Sequence, residues 1–208
     1  MLLFSTFLLA LLSQGSDIIA HVMERYEAVE TYHVTLRSKS SQASEVIEYY
    51  YKRPGYVRME FITPHSGAAL VYDPLKKVVT LRPFGFLKPF VLSLSPENRL
   101  ITSSKGHRVD QSDIGFLLGF VKELAAGGTV EVAGEEEVNG RKTHRVEVKG
   151  KAGAVVGGEI NGYSLWLDDK LLLPLKVISY DSSGKVIEEV LMDDLEVNIG
   201  LKDEFFSL

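Results

Sequence analysis

Residues 45–82, EVIEYYYKRPGYVRMEFITPHSGAALVYDPLKKVVTLR, hold four short runs rich in β-branched and aromatic residues. Pro54-Gly55, then Pro64 with Gly67, then Asp73-Pro74 part these runs, so the stretch predicts a meander of antiparallel strands. The runs alternate. Ile47, Tyr49 and Tyr51 share one face, followed on the same face of later runs by Val57, Met59 and Phe61, then Leu70 and Tyr72, then Val79 and Leu81. Glu48, Lys52, Arg58, Glu60, Lys76 and Arg82 take the other face, so one side of the sheet is expected to meet water. The apolar side requires a partner, and what fills it decides the function.

Outward from this stretch, Thr31–Ser38 alternates in the same way, with Tyr32, Val34 and Leu36 opposite His33, Thr35 and Arg37. A polar turn, Ser38–Ser44, joins it to the meander. Ser16–Glu30 reads as a helix capped by Ser16 or Asp17, because Ile18, Ile19, Val22, Met23, Tyr26 and Val29 recur at helical spacing. Beyond Arg82, the loop Pro83–Pro89 keeps Phe84, Phe86 and Leu87 together, either folded onto its own core or offering a docking surface. Phe90–Leu94 reads as a strand and Ser95–Arg108 as irregular.

A second informative element is Asp113–Ala126, DIGFLLGFVKELAA, capped by Ser112 or Asp113 and ended by Gly127-Gly128. Ile114, Leu117, Leu118, Val121, Leu124 and Ala125 form one stripe with Phe116 and Phe120 off it, a pattern that requires burial on most sides. Gly115 and Gly119 each weaken the helix by about 1 kcal/mol relative to Ala. Two readings stand: a plug that can leave an apolar concavity, and a permanent core helix whose glycines permit close packing.

The remainder returns to strands at Thr129–Val138, Lys142–Lys149, Tyr163–Asp168, Leu173–Asp181 and Lys185–Val197. Asn139-Gly140 and Ser183-Gly184 mark hairpin turns. Lys151–Gly162 reads as a Gly/Ala-rich loop, and the tail Leu201–Leu208 is expected to dock through Phe205-Phe206. The tally is ten or eleven strands with two or three helices and no βαβ alternation, hence an α+β, mainly β, antiparallel fold.

The chain has 208 residues, the size of one large domain, and shows no internal repeat. Its 23 basic and 28 acidic residues, net −5, provide no basic footprint for nucleic acid. It contains no cysteine, which excludes disulfides, thiolate metal sites, a cysteine nucleophile and a lipidated amino-terminal cysteine. Leu2–Leu12 is an apolar run broken only by Ser5 and Thr6, and Ser13-Gln14-Gly15 follow as small residues for cleavage. Residues 1–15 are therefore read as a signal peptide and 16–208 as the mature domain, since a membrane span needs about twenty apolar residues. No Lys or Arg follows Met1, and a buried amino-terminal helix is the alternative.

No nucleophile-elbow, zinc-protease, phosphate-loop or dinucleotide pattern occurs. His21, His33, His65, His107 and His144 stand singly. Glu135-Glu136-Glu137 and Asp193-Asp194 read as solvated charge, while Asp168-Asp169 and Asp181 sit at turns. The expectation is a protein that is not an enzyme and uses neither metal nor cofactor.

Tyr51-Lys52-Arg53-Pro54-Gly55-Tyr56-Val57-Arg58-Met59-Glu60-Phe61, then Pro64, then Leu70-Val71-Tyr72-Asp73 resemble the strand, Lys-Arg-Pro turn and strand of the LolA-like superfamily of periplasmic lipoprotein carriers. Leu165-Trp166-Leu167-Asp168, Leu173-Pro174-Leu175-Lys176-Val177, Tyr180-Asp181 and Gly184-Lys185-Val186 resemble its late hairpins. The resemblance implies an unclosed antiparallel half-barrel with helices over a concave apolar face. It implies a soluble, monomeric periplasmic carrier that chaperones lipoprotein acyl chains, or another lipid, toward the outer membrane. An inner-membrane release complex and an outer-membrane acceptor are the implied partners. The implied ligand contacts are Tyr49, Tyr51, Val57, Met59, Phe61, Leu70, Tyr72, Ile114, Leu117, Leu118 and Val121, with Asp113–Ala126 matching the helix that enters the concavity. Arg53 matches the arginine that ties the lid shut; read from the residues alone it is a solvated turn arginine. Val57 stands where carriers often have phenylalanine, and Asp73-Pro74 replaces an Asp-Gly turn. The superfamily also includes an envelope stress sensor, so a protein-binding regulator using the Phe84–Leu87 loop is the alternative.

Overall fold

The computed structural model describes residues 18–41, 43–85, 90–102 and 108–208. The expected signal peptide, Phe86, Leu87 and His107 lie outside the described residues. Eleven strands occur among the described residues: β1 (Thr31–Ser40), β2 (Ser44–Lys52), β3 (Tyr56–Thr63), β4 (Ala69–Asp73), β5 (Val78–Arg82), β6 (Leu92–Leu94), β7 (Thr129–Val138), β8 (Arg141–Lys149), β9 (Gly162–Asp168), β10 (Pro174–Tyr180) and β11 (Val186–Val197). They form one sheet in the order β6-β5-β4-β3-β2-β1-β11-β10-β9-β8-β7, whose two ends do not pair with each other. With helices α1 (18–27) and α2 (Ile114–Ala125), this is the expected mainly β fold with an unclosed antiparallel sheet.

Element boundaries follow local hydrogen bonding. The first helix stops short of Glu30 because the Ala28 N–H turns to the Arg25 carbonyl at 3.3 Å and the Glu30 N–H donates to Asn198 Oδ1 at 2.8 Å, so neither continues the helical ladder. Arg53 then holds the Val29 and Glu30 carbonyls through its Nε at 2.8 Å and its backbone N–H at 2.9 Å. The expected strand from Phe90 shortens to Leu92–Leu94, which is all that pairs with β5. The Arg53–Gly55 turn needs its glycine, since Gly55 has φ +146°.

Two compact units divide the chain. The first comprises Val29–Ile114 with Leu191–Leu208 and is the meander β1–β6 plus the end of β11 and the tail. Its β4 is buried on both faces: Leu70 and Tyr72 on one, Ala69 and Val71 on the other. The short 3-10 helix Asp203–Phe206 lies against β3 and β4. Lys52 Nζ donates to the Leu201 carbonyl at 3.1 Å and pairs with Asp203. Arg58 stacks over Phe205 at 4.6 Å and donates to the Phe205 and Ser207 carbonyls at 2.6 and 3.1 Å, while Tyr50 meets Phe205 edge-on at 4.8 Å. The tail is docked as expected. The charged face of the meander is consequently not all open to water: Lys52 pairs with Asp203 and Arg58 with Glu60 while both also donate to tail carbonyls, and Val71 on the same face is buried.

The second unit runs through Ala28 and from Gly115 to Val190. Here β9 is buried along its whole length. On one of its faces Trp166 lies between Arg145 and Lys176, 5.1 and 4.8 Å from its ring, and donates its indole N–H to Glu136 at 2.7 Å. That hydrogen bond, with Arg145, holds the Glu136 carboxyl below its ordinary pKa. Thus Glu136 is not merely solvated charge. On α2, Leu118, Val121 and Leu124 are buried, whereas Phe116, Gly119, Lys122 and Glu123 are exposed. A Cβ on Gly119 would meet nothing within 4 Å, so this glycine is not used for close packing. The close approaches are at Gly128, where a Cβ would stand 2.0 Å from the Lys149 carbonyl oxygen, and at Gly150, where one would stand 2.7 Å from Leu124 Cδ2.

Candidate functional site

The strand register of the first unit assembles the alternating apolar residues into rows. Tyr51 opposes Val57, Val57 opposes Tyr72, and Tyr72 opposes Val79. The next row runs Tyr49, Met59, Leu70, Leu81 and Leu92, and a third joins Leu36, Ile47 and Phe61. Directly opposed residues share a face, so Tyr49, Tyr51, Val57, Met59, Phe61, Leu70 and Tyr72 do come together on one apolar surface. Burial along it is graded. Tyr51, Val57, Tyr72 and Val79 are buried, while Met59, Phe61, Leu81 and Leu92 are partly exposed.

An aromatic row sits at the buried side. The Tyr32 ring stacks with Tyr51 at 5.0 Å and with Tyr49 at 5.8 Å. The Tyr49 hydroxyl shares a hydrogen bond with Ser112 Oγ at 3.0 Å, and the Ile114 backbone N–H donates to the Tyr32 hydroxyl at 3.2 Å. Burial, reinforced by the nearby Asp113 carboxylate, pushes the Tyr49 pKa far up, so the phenol stays neutral. The wall thus presents rings without charge. Ile114 lies beside this row, and Leu117, Leu118 and Val121 follow it on α2 in the second unit. Tyr32 and Ser112 complete the row although neither was a candidate contact. The Thr31–Ser38 alternation already put Tyr32 on the apolar face; nothing in the sequence pointed Ser112 at Tyr49, because that pair spans 63 positions.

Arg53 is engaged rather than merely solvated. Its guanidinium donates from Nε to the Val29 carbonyl, just beyond α1, at 2.8 Å. Histidines serve as polar partners: His33 Nε2 lies 2.5 Å from Glu48, and His144 Nε2 2.7 Å from Asp169. Among the described residues, no group of three or more His, Cys, Asp or Glu could hold a metal, and no helix is long and apolar enough to cross a membrane. The second unit has a cavity of about 260 Å³ whose lining mixes Glu131, Lys149 and Asn161 with Val148, Tyr163 and Tyr180.

A family model described as a protein of unknown function, DUF1571, matches residues 23–208. The chain belongs to the DUF1571 family. No curated protein matches the DUF1571 chain. Solved structures do. The lipoprotein LppX of Mycobacterium tuberculosis aligns with a TM-score of 0.60 at 12% identity, over 91% of this chain and 98% of its own. LprF from Mycobacterium bovis aligns at 0.59 and 10% identity, over 92% and 97%. In the MucA/MucB complex of Pseudomonas aeruginosa the score is 0.54 at 16% identity, over 94% of this chain and 61% of that one. At these identities the likeness is one of fold, and the LolA-like fold expected from the sequence is the fold observed.

Proposed function

We propose that this DUF1571 protein is a soluble periplasmic carrier, which holds acyl chains of lipoproteins or of another lipid against the apolar face of β1–β6. Movement toward the outer membrane, from an inner-membrane release complex to an acceptor, is part of the same reading. The observation that carries it is the in-register set of apolar rows across six strands, uncharged and graded from buried to partly exposed. Tyr49, Tyr51, Val57, Met59, Phe61, Leu70 and Tyr72 form the acyl-binding wall, and Ile114, Leu117, Leu118 and Val121 supply the helical contacts. A buried methylene contributes about 0.8 kcal/mol, so a chain of about a dozen carbons offers roughly 10 kcal/mol before ordering costs, enough to hold lipid in water. Release requires a competitor for the same surface. The helices act as that lid, and Arg53 sets the free energy of closure through the Val29 carbonyl.

Native mass spectrometry and lipid extraction of the full chain, expressed from Met1 and purified without detergent, test the reading. Bound acyl lipids are expected. A protein that is reproducibly empty and also fails to bind a fluorescent fatty-acid probe would sink it.

A further inference from the structure

Three connections meet at one end of β1–β6. The register brings the strand ends at these connections together: Lys39 opposite Ser44, Val46 opposite Thr63, Ala69 opposite Arg82 and Leu81 opposite Leu92. Two of them touch: a Cβ on Gly67 would stand 2.8 Å from Gly85 Cα. Ile62, Phe84, Phe90 and Val91 stand on this rim and are 46%, 50%, 48% and 42% exposed. They adjoin Phe61, Leu81 and Leu92, the partly exposed members of the apolar rows, so the apolar surface runs outward onto the rim.

Charge distinguishes this end. Residues 38–44, 61–72 and 82–96 contain no Asp or Glu, in a chain that has 28 of them. The described basic groups there are Lys39 and Arg82, with His65 beside Phe61. At the opposite end Leu75 and Leu100 are also exposed, but their loops carry Asp73 and Glu97, paired with Lys76 and Arg108. The connecting segments carry no carboxylate, the nearest in register being Glu45 opposite Ser38 and Glu60 opposite Ala69, and their large apolar side chains suit a negatively charged lipid interface, which repels carboxylates and takes up aromatic rings.

We propose that this rim is the face by which the protein seats on an anionic lipid bilayer, with Ile62, Phe84, Phe90 and Val91 entering the interface and the apolar rows opening toward the acyl layer. The proposal rests on the carrier reading and adds to it the surface through which lipid enters or leaves. Flotation of the full chain with phosphatidylethanolamine–phosphatidylglycerol vesicles, and with phosphatidylcholine vesicles as the uncharged comparison, tests it. The wild type should float, more strongly on the anionic vesicles. The double variant Phe84→Ser/Phe90→Ser should bind at least about tenfold more weakly, while Leu75→Ser/Leu100→Ser at the other end floats like the wild type. Lys39→Glu, at an exposed position near the end of β1, should weaken anionic binding without changing the thermal midpoint. A wild type that stays unbound, a Phe84→Ser/Phe90→Ser protein that floats unchanged, or an equal loss in the Leu75→Ser/Leu100→Ser control would each overturn the proposal. Binding of a soluble fatty-acid probe without vesicles separates the two ideas. Floating wild-type protein that cannot hold the probe would remove the carrier reading and keep the docking face, whereas a protein that holds the probe and never floats would do the reverse.

Discussion

Replacing Arg53 by Leu tests whether the Lys-Arg-Pro turn governs release. The substitution keeps the aliphatic stem and the backbone bond from Arg53 N–H to the Glu30 carbonyl, 2.9 Å, but deletes the partly buried 2.8 Å bond from Nε to the Val29 carbonyl. A hydrogen bond from a charged donor contributes about 1.5–3 kcal/mol net. Since about 1.4 kcal/mol is a factor of ten, the closed lid should lose roughly ten- to a hundredfold in its equilibrium. A lid that competes with ligand lowers apparent affinity by its own closure. Arg53→Leu should therefore bind a fluorescent fatty acid more tightly and release it more slowly in stopped-flow displacement, by about that factor, with circular dichroism unchanged. If affinity and release stay at wild-type values while the urea midpoint falls, the bond merely braces the turn and the lid assignment is wrong.

Three further outcomes follow from the packing. Phe206→Ala removes a side chain that is 8% exposed and should cost about 3 kcal/mol in urea unfolding; a loss under about 1 kcal/mol would mean the tail contributes little to covering β3 and β4. Burial pulls the Asp168 carboxyl upward, but the Leu171 and Lys170 amides at 2.7 and 3.0 Å and Arg141 at 2.9 Å outweigh it, so its folded pKa lies below the ordinary one. A depressed carboxyl stabilises the fold above its unfolded pKa and stops doing so as pH falls through the folded pKa, so Asp168→Asn should lower stability at pH 7 by about 1–3 kcal/mol. Its unfolding free energy should also vary less between neutral pH and acid, and an unaltered slope would refute the assignment. Trp166→Phe keeps the ring between Arg145 and Lys176 but removes the 2.7 Å bond to Glu136, so the Glu136 carboxyl should titrate at higher pH by NMR, and an unmoved titration would show that Arg145 alone holds it down.

Much of this molecule was legible as period-two alternation. Ile47 through Leu81 had to share a face once the turns at Pro54-Gly55, Gly67 and Asp73-Pro74 made the strands antiparallel, because neighbouring side chains in a strand point to opposite sides. The resemblance singled out Arg53, and its Nε donates to the Val29 carbonyl. Long-range choices escaped because they depend on three-dimensional proximity and not on spacing. Only the folded chain puts Phe205 against Arg58 and Tyr50, Ser112 against Tyr49, and Glu136 under the Trp166 indole. Alternation determines which residues face the same way, since it is set by local backbone geometry. Which faces stay open, and which loops meet to form a rim at Gly67 and Gly85, is decided by tertiary contacts that any single strand is too short to encode.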